Sequence, residues 1–218
     1  MCGRFINLNT IKKLNKIFDF INKDKIDDEI SYNIAPSQSS IIITNSNFFN
    51  IEKAKWGIKF FDKIQKREKN IINSRVETVD KKIIFKESFN KRRCIIPANG
   101  YYEWSLKNKI KTPYFINIPE RETIYFAGIW KYIDQSNLSK KVFSIITKPS
   151  NSLLSNIHHR MPMILSSDES KDYLDKSNLN YLQYNKNSNI ESYIEFYEIS
   201  RFVNNPLNNS IKCIRHIN

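Results

Sequence analysis

Cysteine is scarce in this 218-residue chain: Cys2, Cys94 and Cys213 are the full set. An odd count without any C-x-x-C spacing argues against both a disulfide framework and a zinc site. Histidine is equally rare, at three, so no metal and no other cofactor is expected. There are only four glycines, Gly3, Gly57, Gly100 and Gly128, within CGR, KWG, ANGYYEW and FAGIW. Glycine tolerates backbone geometry that other residues resist, so so few of them mark tight places, with Gly57 and Gly128 read simply as relieving strands. No apolar run approaches the roughly 20 residues that span a bilayer, and no basic-then-apolar leader opens the chain, which predicts a cytoplasmic protein with no membrane association. Acidic residues are in deficit, 22 against 35 Lys and Arg, giving a net charge of +13. That excess fits a polyanionic partner such as nucleic acid. Lysine, asparagine and isoleucine are enriched together, as an AT-rich coding sequence would produce, so the arginines carry more information. Arg4, Arg75, Arg93 and Arg160 lie in or beside the densest motifs.

What is present is mostly β pattern. The length suits one domain over residues 1–218. Residues 10–21 place Ile11, Leu14, Ile17, Phe18 and Ile21 at helical spacing behind a Thr10 cap, and Pro36 breaks the chain into a loop after SYNIAP. β-branched and aromatic runs at 40–44, 48–56, 93–104, 112–118, 123–130, 141–147 and 161–165 predict strands. Short helices are expected near 78–88, at 150–156 and at 167–175, and KNSNIES (186–192) reads as a polar loop. Strands outnumber helices without alternating with them, which predicts an α+β domain around a curved, mostly antiparallel sheet with short peripheral helices.

Four stretches carry possible chemistry. In MCGRF, removal of Met1 leaves Cys2 with a thiol and an α-amine on one residue. In INSRVET (72–78), a strand would turn Ile72, Ser74 and Val76 one way and Asn73, Arg75 and Glu77 the other. That polar face either meets water or lines a cleft, with Asn73 orienting a substrate, Arg75 gripping an anion and Glu77 holding Arg75. In ANGYYEW, Glu103 stands between Tyr102 and Trp104. An apolar setting there would raise its pKa toward neutrality, whereas an exposed edge strand would leave it an ordinary solvated carboxylate. NIHHRMPMIL brings His158 and His159 before an apolar strand, one of them suited to proton transfer. Trp56, Tyr101, Tyr102 and Trp104 are either core or a stacking platform for unpaired bases.

Read in order, MCGRF, NIAP (33–36), KWG (55–57), NSRVET (73–78), RRCIIPANGYYEW (92–104), FAGIW (126–130), HHRMPMIL (158–165) and ISRFVN (199–204) followed by KCI resemble the SRAP family, the abasic-site processing proteins that include HMCES and YedK. The resemblance implies a single α+β domain with a barrel-like core and a basic cleft for single-stranded DNA, and a monomer is expected. It implies that Cys2 is the nucleophile that crosslinks to the aldehyde of an abasic site, Asn73 the orienting amide, Glu103 the acid/base carboxylate and His158 the histidine of H-x-R-M-P, with His159 in its variable place. It further implies that Arg4, Arg75 and Arg160 meet phosphates and that Trp56 and Trp104 lie in or near the DNA cleft. Loss of Met1 by self-cleavage or by an aminopeptidase, and lyase activity at the lesion, follow from the same likeness. The segment after Gly57, IKFFDK, departs from the family's proline-containing turn and puts the local DNA wedge there in question. Two rival readings are a thiol hydrolase built on Cys2, His158 and Asn73, and a noncatalytic single-stranded DNA-binding module.

Overall fold

The computed structural model describes the chain apart from residues 1, 63, 108, 109, 120, 122, 134–139, 176, 178–187 and 218. Two sheets dominate it. The first runs β15 (Glu195–Glu198), β10 (Ile110–Asn117), β9 (Gly100–Lys107), β1 (Phe5–Asn7) and β2 (Ser31–Ile34), all antiparallel. The second runs β13 (Arg160–Pro162), β12 (Lys141–Pro149), β4 (Phe49–Trp56), β3 (Ser39–Asn45), β8 (Arg93–Ala98), β11 (Ile124–Tyr132) and β14 (Ile164–Leu165). In it β11 also pairs with β12, so β12, β4, β3, β8 and β11 close into a ring, and β7 (Asn73–Arg75) joins β12 in parallel. Closure of this kind removes the open edges that a strand-rich chain would otherwise expose. This is the α+β, barrel-like architecture expected from the sequence.

The alternation within each strand explains the layers. One apolar cluster, with Cys2, Phe5, Trp56, Tyr101, Phe126 and Phe143, fills the space bounded by both sheets. Ile6, Tyr102, Phe115, Ile199 and Val203 pack on the other face of the first sheet. A third cluster sits under three short helices, α1 (Ile11–Phe18), α2 (Ile83–Lys91) and α3 (Ser167–Leu174). Helix α1 starts where Thr10 accepts the Lys13 N–H and stops at Asp19, whose left-handed backbone (φ 48°) suits a C-cap. Helix α3 opens on a capping box between Ser166 and Glu169.

Several local expectations change. The run 93–104 divides after Ala98 into strands of different sheets, and the run 161–165 is interrupted at Met163. The β hairpin of β5 (Ile58–Asp62) and β6 (Arg67–Ile71) occupies the stretch after Gly57. Residues 152–157 form turns instead of a helix, and α2 begins only at Ile83. Of the loop at 186–192, the first two residues lie outside the described set. Glu191 in that stretch is buried and pairs with buried Lys148 at 2.5 Å, so the polar composition there hides an interior ion pair.

Gly100 marks the division of the 93–104 run. Its φ is +158°, and a Cβ there would stand 2.6 Å from the Phe115 ring and 2.7 Å from the Ile116 carbonyl oxygen. Backbone and ring both belong to the adjacent strand β10 and have little room to yield. Gly100→Ala should therefore cost about 2–3 kcal/mol, read as a lowered midpoint in chemical denaturation with an unchanged slope.

Candidate active site

Four distant segments meet at the end of the cavity between the sheets. The antiparallel pairing of Phe5 with Tyr101, continued by the Tyr102 N–H donating to the Arg4 carbonyl at 3.0 Å, sets the start of the chain alongside Glu103. Strand β7 adds Asn73, whose Nδ2 donates to the Cys2 carbonyl at 2.8 Å. Pairing of Pro149 with Arg160 brings His158 to the same place, its Nδ1 3.9 Å from Glu103 Oε1. That gap exceeds a direct hydrogen bond, so a proton passing between them needs a bridging water or a small closure.

Electrostatics follow from burial. Strand β9 lies between β10 and β1, with both faces of the sheet covered, so Glu103 is only 4 % exposed and the exposed-edge reading is excluded. Desolvation pushes its carboxyl up to about 7. Burial also drives the Cys2 thiol far above its ordinary range, with the Glu103 carboxylate adding to the effect. His158 is pushed the other way, again by burial, and stays neutral near pH 7. Its Nδ1 lies 2.9 Å from the Arg160 backbone nitrogen and 3.1 Å from the Arg160 carbonyl oxygen, so the backbone of that residue orients the ring.

The open cleft outside these groups encloses about 560 Å³ and is lined by Arg4, Glu103, Trp104, Lys111, His158 and Asn204. The Arg4 guanidinium donates to Asn33 Oδ1 at 2.8 Å and to the carbonyls of Val203 and Asn204, at 2.9 and 3.5 Å. These acceptors are neutral, so its positive charge is not cancelled by them. Trp104 sits beside it, with the Arg4 Cζ 5.9 Å from the ring centroid and the indole N–H on Asn204 Oδ1. Arg75 is exposed at the end of β7.

Two of the residues expected to meet DNA make their contacts within the protein. Trp56 has no exposed surface: it stacks on Phe143, meets Phe5 edge-on and donates its indole N–H to the Ile72 carbonyl, so no ring face is open to a base. Arg160 is 8 % exposed and forks onto Glu77 while also donating to the Thr147 carbonyl. Glu77 thus holds Arg160 and not Arg75, and this hydrogen bond keeps its carboxyl below the usual range. Arg160→Ala should destabilise the fold by about 2 kcal/mol, visible as a drop in thermal midpoint, because Glu77 is only partly buried and water recovers some of the loss. Lys111 escaped the sequence reading because nothing local marks it, and Asn33 and Asn204, inside the NIAP and ISRFVN stretches, were given no role of their own. Asn33 donates to three carbonyls, of Val203, Asn205 and Asn208, a role visible only once the C-terminal segment is folded against β2.

Among the described residues no group of three or more His, Cys, Asp and Glu is placed to hold a metal ion. No helix there is long and apolar enough to cross a membrane.

Comparison with known proteins adds the following. Residues 1–206 match the profile of the family described as SOS response associated peptidase (SRAP). The abasic site processing protein YoaM of Bacillus subtilis is 34% identical over 223 residues, covering 98% of this chain and 97% of that one. The abasic site processing protein YedK of Escherichia coli is 28% identical over 181 residues, covering 80% and 79% of the two chains. A crystal structure of a protein from Bacteroides thetaiotaomicron superposes with a TM-score of 0.77 over 99% of this chain and all of that one, at 24% identity, a likeness of fold.

Proposed function

The chain belongs to the SRAP family, and from that premise we propose that it processes abasic sites in single-stranded DNA by trapping them covalently on Cys2 after Met1 is removed. The observation that carries this reading is the convergence of Cys2, Asn73, Glu103 and His158 from four remote segments onto one end of the inter-sheet cavity. The net charge of +13 and the uncancelled charge of Arg4 favour a polyanionic strand across the cleft, with Trp104 beside Arg4 as the aromatic surface available to a base.

The ring-opened sugar of an abasic site presents an aldehyde. The freed α-amine of Cys2, with an ordinary pKa of about 7.7–8.0, is partly neutral near pH 7 and adds to that carbon, losing water to form an imine. The Cys2 sulfur then attacks the same carbon, the C=N π electrons return to nitrogen, the proton lost by the thiol ends on that nitrogen, and a five-membered thiazolidine closes. Because amine and thiol share one residue, the second addition is intramolecular and strongly favoured. The burial that holds the Cys2 thiol protonated makes this step depend on a base, and Glu103, titrating near 7, is suited to take that proton and to return it in reversal. Neutral His158 is suited to assist opening of the sugar ring. Asn73 holds the Cys2 backbone while the side chain reacts. An imine at the lesion also labilises the 3′ phosphate, so some lyase activity accompanies the reaction, and self-removal of Met1 would use the same groups. The protein acts as one domain and as a monomer, in the cytoplasm.

A thiol hydrolase triad is less well supported. Asn73 spends its amide on the Cys2 carbonyl, and its Oδ1 has no hydrogen-bond partner among the described residues, so it does not orient His158 as such a triad requires. The test is a denaturing gel of the mature protein incubated with single-stranded DNA carrying one abasic site. A heat-stable shifted band is expected; a shift seen only under native conditions would favour a noncatalytic binding module.

A further inference from the structure

Tyr101 stands one place from Tyr102 yet points into the other layer, the cavity that also holds Cys2. Its ring is anchored by Phe126, met edge-on at 6.0 Å, and its Cα is opposite Phe5 in β1. The residue is 1 % exposed, and its hydroxyl has no hydrogen-bond partner among the described residues. Tyr102 differs in this respect, since its hydroxyl donates to the Tyr32 carbonyl at 2.7 Å. A buried hydroxyl left without a partner is destabilising, and phenylalanine would fill the same space without that cost. The ionisable groups that act on the Tyr101 hydroxyl are Cys2 first, then Glu103 and Glu191, the last paired with Lys148. Burial keeps Tyr101 protonated throughout the working range, so it is a donor that does not lose its proton.

We propose that Tyr101 is a further catalytic residue, whose hydroxyl donates a hydrogen bond to the Cys2 sulfur as that sulfur gives up its proton and attacks the imine carbon. In the present arrangement the thiol is directed to the Arg4 carbonyl, at 3.9 Å, a contact weak enough for the Cys2 side chain to leave it for another staggered rotamer. The proton of Cys2 goes to Glu103, the new bond is C–S, the electron pair of C=N moves to nitrogen, the nitrogen takes the proton from Glu103, and Tyr101 retains its own proton throughout. A thiolate forming in an apolar cavity has little else to stabilise it, which is what gives the phenol its value. The inference rests on the proposed reading of Cys2 as the crosslinking nucleophile.

The test is Tyr101→Phe, the removal of one oxygen atom, assayed by single-turnover crosslinking to abasic single-stranded DNA at saturating DNA, with equilibrium DNA affinity and thermal midpoint measured alongside. The expected result is a crosslinking rate lowered about tenfold, as for loss of a hydrogen bond to a charged group, with affinity unchanged and the midpoint unchanged or raised. Wild-type rate in the variant would overturn the proposal and leave the Cys2 reading intact. Misfolding, or a lowered midpoint that accounts for the lost rate, would mark the hydroxyl as structural and overturn it too. Absence of any crosslink in the wild-type protein would remove the Cys2 reading itself, and the proposal with it.

Discussion

Cys2→Ala is expected to abolish the covalent DNA adduct, to below detection on a denaturing gel, while leaving the fold in place. Cys2 is fully buried but small, and its sulfur makes one weak contact, so the lost packing is worth only about 1 kcal/mol and the thermal midpoint falls by a few degrees. Any loss of the adduct far beyond that is chemical. A second variant isolates the amine: one extra residue that stays in front of Cys2 keeps the thiol but turns the α-amine into an amide, which cannot form an imine. It too should give no heat-stable band. Persistence of the band with the amine blocked would sink the thiazolidine route and leave a simple thiol adduct. Intact mass of the active protein should lack Met1.

Glu103→Gln carries the second large effect, a crosslinking rate lower by about 10²-fold or more, from loss of the group that both accepts and returns protons. The same substitution has a stability signature of known sign. The Glu103 carboxyl has an ordinary value of 4.5 and is raised to about 7 by burial, so between these values the folded protein holds a proton that the unfolded chain has released. Its contribution to stability is fully present below about 4.5, declines as pH rises, and is lost once pH passes about 7. Glutamine does not titrate. The variant should therefore be more stable than wild type at pH 8, and its advantage should shrink toward pH 5, as thermal midpoints across that range will report. A midpoint difference that is flat with pH would mean that Glu103 is not held near 7.

How much of this was legible in the chain depends on the range over which each signal acts. Helix α1 was readable because its Thr10 cap and its Ile11, Leu14 and Phe18 stripe are local. The strands were readable as apolar runs, but the division of 93–104 between two sheets was not, since Gly100 breaks the run only because of Phe115 and Ile116 on a neighbouring strand. The turns at 152–157 show the limit of helical spacing over half a dozen residues: Asn151 caps the first turn through the Leu154 N–H and Leu154 packs in the core, yet so short a stretch does not continue as a helix. Glu103 is the clearest case at the site: the sequence left exposed and buried readings open, and covering both faces of β9 chose between them.

By itself, the sequence determined which reactive groups exist and in what order. These are a cysteine directly behind Met1, a glutamate between two aromatics, a histidine before an apolar strand, and an excess of basic charge. Such features are properties of single residues or short spacings. Only the tertiary structure decided which side chains are buried, which charges are cancelled and which groups meet. It turned Trp56 into core, tied Arg160 to Glu77, left Arg4 among neutral oxygens and brought Asn73 to the Cys2 carbonyl. Desolvation and pairing depend on neighbours tens of residues away, and those neighbours are set by closure of the two sheets.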